Sequence, residues 1–276
     1  MNAVFSYYSK KLIACPAAYV GAVILFLSML SVFEDYGKPD PNLLYFFQCT
    51  MPIGITHWFL PVATVLPVCF VRREMRQGAA WQFPLLHSSP LRYSVGGLLA
   101  AFFSGAWIVV VAVVLFVLFV YFVIAFPGSL SLRVDLFSQR ELYPFWVKLP
   151  KLVIFLILTA VLAGCGGMCA AISYAVSGFS RNQYICAASP LLLFFAATYS
   201  IQALVYYRKF VAGTVPRLKT DWLEYLDPSM LSVGFGSNLE TGPNGGLVYY
   251  GIYLSAVLLI CGGLFYFRLR RRLRNG

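Results

Sequence analysis

The sequence predicts an all-α integral membrane protein with six transmembrane helices and both termini in the cytoplasm. Hydrophobic residues make up 60% of the chain and charged residues only 11%, whereas a water-soluble domain carries about 25% charged residues. Six apolar segments each reach the length of about 20 residues that a helix needs to cross a bilayer. Because lipid offers the backbone no hydrogen bonds, these spans are expected to be helices.

The predicted elements form one transmembrane domain over residues 1–276. Residues 2–11 are expected to form an interfacial helix, since Val4, Phe5, Tyr8 and Leu12 share one helical stripe; a simple extension of the first span is the alternative. The third span is longer than one crossing, which predicts a tilt or a projection beyond the membrane. The six spans are predicted at residues 12–33, 51–71, 94–126, 152–179, 184–206 and 247–267.

The distribution of basic residues sets the orientation. With both termini inside, Glu74 is the only acidic residue on the cytoplasmic side, and the formal net charge of +11 lies on that side. This is the pattern of the positive-inside rule, so the charge does not indicate a nucleic-acid partner. The arginines of the C-terminal tail are expected to contact anionic membrane lipid. The cytoplasmic basic residues are Lys10, Lys11, Arg72, Arg73, Arg76, Arg92, Arg181, Arg268, Arg270, Arg271, Arg272 and Arg274.

The last outer loop, residues 207–246, contains a second amphipathic segment. Leu223, Leu226 and Met230 recur at helical spacing, which predicts a short helix that lies in the outer interface or re-enters the membrane just before the last span.

The cytoplasmic turn at residues 72–93 is the most informative part of the chain. Ser89 followed by Pro90 is typical of an N-cap and the first position of a helix. The third helix is therefore expected to begin at about Pro90, before it enters the bilayer. The turn is predicted to be a helix–break–helix elbow against the inner membrane face, and an ordinary interfacial loop is the alternative.

The same turn resembles the coupling segment of ABC-2 type permeases, the membrane subunits of bacterial ATP-binding-cassette exporters. The resemblance rests on Glu74 and Gly78, the pair Leu85-Leu86, the run from Ser89 to Tyr93, and Gly96. The chain-wide layout is similar too, with a short interfacial helix, six spans and amphipathic helices before the last one. One departure is Gly97, where the family often has a lysine.

The resemblance implies a multi-pass protein of the bacterial cell membrane that works with partners. It implies two cytosolic ATPase subunits, which bind ATP and Mg²⁺, and a second permease, either a copy or a paralogue. The residues that would bind the ATPase are Arg73, Glu74, Arg76, Gln77, Gly78, Trp81, Leu85, Leu86, Ser89, Pro90 and Arg92.

No catalytic residue, metal site or cofactor site is predicted in the chain itself. The sequence has no phosphate-binding loop of the Gly-x-x-x-x-Gly-Lys-Ser/Thr type, so ATP hydrolysis is assigned to the partner. Cys165 and Cys169 share a helical face, but no neighbouring histidine or acidic residue completes a metal-ligand set.

The expected function is export of an amphipathic or hydrophobic substrate, such as an antimicrobial peptide or a drug-like molecule. Aromatic residues make up 17% of the chain and suit an apolar cavity. His57 is a candidate for the substrate pathway because an ionisable group inside a span often serves function, and Trp58 beside it is a second candidate. An ordinary position at the outer membrane interface is the alternative. Gly166 and Gly167 are also candidates, with close helix packing as the alternative. The alternative functions are a lipid or glycan exporter of the same family, and a membrane enzyme or structural subunit that transports nothing.

Overall fold

The computed structural model describes residues 2–31, 56–77, 89–124, 148–180, 182–213, 222–228 and 246–274, and in this part of the chain every regular element is helical. Helix α1 is Asn2–Ile13, α2 is Pro16–Leu30, α3 is Thr56–Gln77 and α4 is Pro90–Phe119, which continues as a π-helix over Val120–Ile124. Helix α5 is Lys151–Ser177 and α6 is Gln183–Tyr206, which continues as a π-helix over Tyr207–Val211. A 3₁₀-helix, Trp222–Leu226, precedes α7, Leu247–Arg274.

Four of the described helices, α4 to α7, are long and apolar enough to cross a membrane. Helices α1 and α2 meet the same test only together, as a pair whose axes differ by 58°, and would make a fifth span. The apolar part of α3, Thr56–Arg72, is shorter than these. The chain is therefore a multi-pass membrane protein with four to five spans in its described part, and residues 51–55 of the predicted second span lie outside that part.

The first predicted span is divided differently in the structure. Helix α1 runs on to Ile13, and the chain turns at Ala14 and Cys15 before Pro16 opens α2. Proline has no backbone N–H and a fixed φ, so it suits the first position of a helix and breaks a helix that reaches it from the N-terminal side. The apolar stripe of α1 is buried at Val4, Tyr8 and Leu12.

Helix α4 begins where the sequence predicted. Ser89 is its N-cap, with its hydroxyl oxygen accepting a hydrogen bond from the Arg92 backbone N–H (3.3 Å), and Pro90 occupies the first turn. With its π-helical end, the apolar element spans 34 residues, or about 50 Å at 1.5 Å per residue. That length exceeds the hydrocarbon thickness of about 30 Å, so the predicted projection or tilt follows from the helix as observed.

Helix α5 is the centre of the bundle and contacts α3, α4, α6 and α7. Its small residues allow this: a Cβ atom on Gly105 of α4 would lie 2.5 Å from the Gly166 carbonyl oxygen of α5. A Cβ atom on Gly166 would lie 2.6 Å from a methyl group of Val109. In lipid, where helix association depends on van der Waals packing, such close backbone approach is the main source of contact.

The predicted amphipathic helix at residues 223–231 differs from what the structure describes. The described part is a single 3₁₀ turn that ends at Leu226, with Asp227 and Pro228 after it. The residue before a proline is disfavoured in the α region, which explains why the helical spacing does not continue through Asp227. Met230 and Leu231 lie outside the described residues.

Candidate functional site

Basic side chains gather at one end of the bundle, which we call the basic end. It comprises the end of α1, the end of α3, the start of α4, the end of α5 and the end of α7. Among the described residues, this end carries Lys10, Lys11, Arg72, Arg92, Arg268, Arg270, Arg271, Arg272 and Arg274. Six of these nine side chains are exposed, whereas Lys11, Arg72 and Arg268 are partly buried. Arg72 lies against rings of two neighbouring helices.

Four aromatic rings surround or adjoin Arg72, and we call them the aromatic cluster. They are Tyr8 of α1, Tyr93 of α4, Tyr174 of α5 and Phe265 of α7. Each of the four side chains is at most 3% exposed. Arg72 therefore lies where four helices of the bundle contribute a ring, at the point where α3 leaves its apolar stretch.

The Arg72 guanidinium lies against two of these rings. Its central carbon is 5.0 Å from the Tyr174 ring centroid and 5.3 Å from that of Phe265, within the range of a cation–π contact. The Arg72 Nε donates a hydrogen bond to the Ser177 hydroxyl at 3.0 Å, and that hydroxyl donates to the Tyr174 carbonyl oxygen at 2.6 Å. Among the described residues, no carboxylate forms an ion pair with Arg72.

The rings of the aromatic cluster also contact one another. Tyr174 and Phe265 lie 4.6 Å apart between centroids, and Tyr93 lies 6.4 Å from Phe265. The Tyr8 hydroxyl donates a hydrogen bond to the Tyr93 hydroxyl at 2.6 Å. Arg72 is thus joined through rings and hydroxyls to α1, α4, α5 and α7 together, and displacement of any of these helices would disturb its contacts.

A glycine on α4 makes room for the Tyr174 side chain. A Cβ atom on Gly97 would fall well inside van der Waals distance of the Tyr174 hydroxyl oxygen and of its ring. A lysine side chain at position 97 would not fit beside Tyr174. The absence of a side chain at Gly97 thus accommodates a buried tyrosine of the neighbouring helix.

The predicted ATPase-binding residues divide into three groups. Ser89, Pro90 and Arg92 are described and open α4, with Ser89 and Arg92 exposed. Arg73, Glu74, Arg76 and Gln77 lie on the last turn and a half of α3, where the backbone is described but these side chains are not. Gly78, Trp81, Leu85 and Leu86 lie outside the described residues. Backbone continuity places the first group next to Tyr93 and the second group next to Arg72.

The predicted substrate-pathway residues lie apart from the basic end. The His57 ring lies beside Trp58 at the start of α3, and Trp58 stacks on Phe195 of α6 with 4.1 Å between ring centroids. The Phe195 ring in turn stacks on the Tyr199 ring, with 6.1 Å between the ring centroids. Trp58 is 43% exposed and Tyr199 59%, so this row of rings faces the surroundings of the bundle.

The other two predicted pathway residues, Gly166 and Gly167, are buried where α5 meets α4. A Cβ atom on Gly167 would lie 2.6 Å from the Phe102 ring. These glycines pack against α4. No contact among the described residues joins them to His57 or Trp58. Their position in the pathway stays a prediction.

A buried carboxylate at the opposite end was missed by sequence reasoning. Asp227 is 4% exposed and accepts hydrogen bonds from the Thr198 hydroxyl (2.9 Å) and the Gln202 side-chain amide (3.3 Å), both on α6. Lys209 and Glu224 form an ion pair beside it. These contacts hold the 3₁₀ turn against α6. The signal available in the sequence was the spacing of Thr198 and Gln202, four residues apart on one helical face.

The sequence did not predict the aromatic cluster as a group, although the position of Arg72 was indicative. Arg72 follows an apolar run with no turn residue between, so it had to lie on the same helix and near the bundle.

In the described part of the chain, no group of three or more histidine, cysteine, aspartate or glutamate side chains could hold a metal ion. The geometry at Arg72 suits a fixed cationic contact between helices.

Comparisons of the chain with protein-family models, with curated proteins and with solved structures find no match.

Proposed function

We propose that this chain is the membrane subunit of an ATP-driven exporter of the ABC-2 type, working with a separate cytosolic ATPase. The observation that carries the proposal is the pair of helices at residues 56–77 and 90–119. Helix α3 continues beyond its apolar stretch, through Arg72 to Gln77, and α4 starts at the capped Ser89–Pro90 step at the same end of the bundle. The segment that resembles the coupling segment of that family is thus flanked by two long helices.

Helices suit this role because they are rigid and belong to the packed bundle. A partner that binds the segment between α3 and α4 differently in its ATP-bound and ATP-free states shifts the bundle by that difference in affinity. Such rigid-body shifts of packed helices are a common form of conformational change. In this proposal the basic end is cytoplasmic, both termini are inside, and six spans cross a bacterial cell membrane.

The substrate class follows from the exposed row of rings. Trp58, Phe195 and Tyr199 stack along α3 and α6, and the large exposed rings suit the apolar part of an amphipathic peptide or a hydrophobic drug. We expect a synthetic amphipathic peptide of lysine and leucine to raise ATP hydrolysis by the complex. A titration to saturation that leaves hydrolysis unchanged would favour lipid or glycan export.

The test of the proposal is affinity purification of the tagged chain from its native membranes in mild detergent, with the co-purifying proteins identified. We expect a cassette ATPase in a one-to-one ratio with the chain. Recovery of the chain without an ATPase, under conditions that keep other cassette transporters intact, would contradict the proposal.

Charge reversal at Glu74 sharpens the test. The Glu74→Lys variant should insert in the membrane as the wild type does and should transport less substrate for each ATP hydrolysed, because Glu74 lies in the segment assigned to the ATPase. Arg270→Gln is the matched control, since Arg270 is exposed at the same end of the bundle. Equal transport by the two variants would count against the assignment.

A further inference from the structure

Helix α3 packs against the bundle along its length, and Arg72 is the last of its side chains that the structure describes. Residues 73–77 follow on the same helix, so a force on the segment beyond Gln77 reaches α3 through the turn that carries Arg72. Side chains before Arg72 on this helix, such as Val68 and Val71, are apolar and buried. Arg72 is the first charged residue in this direction.

The Arg72 side chain is partly buried, and its contact with the aromatic rings depends on the orientation of the guanidinium. The guanidinium is planar and stacks on ring faces, whereas its N–H groups need acceptors. Arg72 satisfies both requirements at once, with the rings of Tyr174 and Phe265 at 5.0 and 5.3 Å and the Ser177 hydroxyl at 3.0 Å. A rotation of α3 that improves one of these contacts would lengthen another.

The contact reaches two different helices, α5 and α7. Tyr174 and Ser177 belong to the last turn of α5, while Phe265 belongs to α7 and lies against Gly178 just after α5. A Cβ atom on Gly178 would lie 2.9 Å from the Phe265 ring. Helix α7 otherwise lies largely at the surface of the bundle, with two buried residues, Cys261 and Phe265, among those described. Phe265 is therefore a buried attachment of α7 at the basic end, beside the hydrogen bond from the Ser94 hydroxyl to the Gly262 carbonyl oxygen.

We propose that Arg72 is a positioning residue that passes movement of the coupling segment to α5 and α7 through its contacts with Tyr174, Ser177 and Phe265. The inference rests on the proposed function, because it concerns how an ATPase bound at that segment moves the spans. Arg72 itself touches neither the ATPase nor the substrate in this scheme. Its replacement should weaken the link between ATP binding and the movement of α7 without releasing the ATPase.

The experiment places a fluorescent reporter on α7 and follows its response to ATP. Leu264 is 49% exposed and adjoins Phe265, so a bimane label on Leu264→Cys would report movement there. The described cysteines are buried except Cys69, which is half-buried, and Cys49 is replaced by serine because it lies outside the described residues. The labelled chain is purified with its ATPase, reconstituted in vesicles of phosphatidylglycerol and phosphatidylethanolamine, and titrated with ATP.

We expect the wild type and Arg270→Gln to show the same ATP-dependent fluorescence change. In Arg72→Gln and in Phe265→Leu, the half-saturating ATP concentration should rise on the order of tenfold, the usual size of a coupling between two sites. The double variant should be no worse than Arg72→Gln alone, because Arg72→Gln already removes the contact with Phe265. Phe265→Leu keeps an apolar side chain, and it is the variant that tests the inference if Arg72→Gln does not fold. Equal amounts of bound ATPase in all variants exclude a loss of docking.

A wild-type response in both single variants would overturn the inference, and so would effects that add in the double variant. In either case the proposed function stands, because the wild-type complex still responds to ATP. A wild-type chain that binds no ATPase overturns the proposed function and the inference with it.

Discussion

Two tyrosine hydroxyls near Arg72 are buried equally and differ in their hydrogen bonding. Tyr8 and Tyr174 are each 1% exposed. The Tyr8 hydroxyl donates to Tyr93, whereas the Tyr174 hydroxyl has no hydrogen-bond partner within the described residues. Burying a hydroxyl without a partner costs about 1–3 kcal/mol, so Tyr174 is retained at some cost to stability while its ring contacts Arg72.

Removal of these two hydroxyls should therefore act in opposite directions. Tyr174→Phe should raise the free energy of unfolding by about 1 kcal/mol, because it removes an unsatisfied group and keeps the ring. Tyr8→Phe should lower it by about 1 kcal/mol, because it breaks the bond to Tyr93. Unfolding of both variants in mild detergent, followed by circular dichroism, measures the difference. Loss of stability in both would show that the Tyr174 hydroxyl has a partner after all.

The N-cap of α4 is a second residue-scale feature with a measurable effect. Ser89→Ala removes the acceptor for the Arg92 N–H and should lower the free energy of unfolding by about 1 kcal/mol. Ser89→Asp keeps an acceptor at the same position and is the matched control. If alanine and aspartate at position 89 give equal stability in the same unfolding assay, the cap contributes nothing to α4.

At the scale of elements, the contact between α4 and α5 depends on glycines that no side chain can replace. Gly105→Ala would push a methyl group against the Gly166 carbonyl, and overpacking of this kind costs about 1–3 kcal/mol. Gly263→Ala on α7 is the control, since nothing lies within 4 Å of a Cβ atom there. Replacing glycine inside a helix by alanine adds about 0.5–1 kcal/mol of stability where space allows.

The expected result is therefore a lower thermal midpoint for Gly105→Ala and an equal or higher midpoint for Gly263→Ala. The measurement is thermal unfolding of the purified chain in mild detergent. A midpoint for Gly105→Ala at or above the wild-type value would mean that α4 and α5 are packed less closely than the structure shows.

The elements differ in how well the sequence predicted them, for physical reasons. The start of α4 follows from local rules, since a serine cap and a proline at the first position need no tertiary information. The break before α2 had an equally local signal in Pro16, but the apolar run across it favoured a single span. The aromatic cluster joins residues 8, 72, 93, 174 and 265, and no periodicity within one helix indicates which rings meet across the bundle. Asp227 was missed for the same reason, because its partners are on α6.

At the scale of the whole molecule, the charges divide the described chain into two unlike ends. The basic end has nine basic side chains, Lys10, Lys11, Arg72, Arg92, Arg268, Arg270, Arg271, Arg272 and Arg274, and no acidic side chain among the described ones. At the opposite end, Lys209 forms an ion pair with Glu224. A membrane protein inserts with its excess of arginine and lysine on the cytoplasmic side. The structure thus shows which elements share an end, and the charge rule predicts that this end is the cytoplasmic one.

This orientation is testable with single cysteines on both ends. Ser6 and Leu273 are exposed at the basic end, and Lys148 is exposed at the other. In cells, a membrane-impermeant maleimide should label Lys148→Cys, whereas Ser6→Cys and Leu273→Cys should react only after the membrane is opened. The described native cysteines are largely buried, and Cys49→Ser removes the one outside the described residues.

Labelling of Ser6→Cys and Leu273→Cys in intact cells would reverse the orientation and remove the coupling segment from the reach of a cytosolic ATPase. Labelling of only one of them would mean an odd number of spans. With both sites protected, the number is even. If α1 and α2 together make the fifth span of the described helices, one more crossing is then left for α3 and the residues before it.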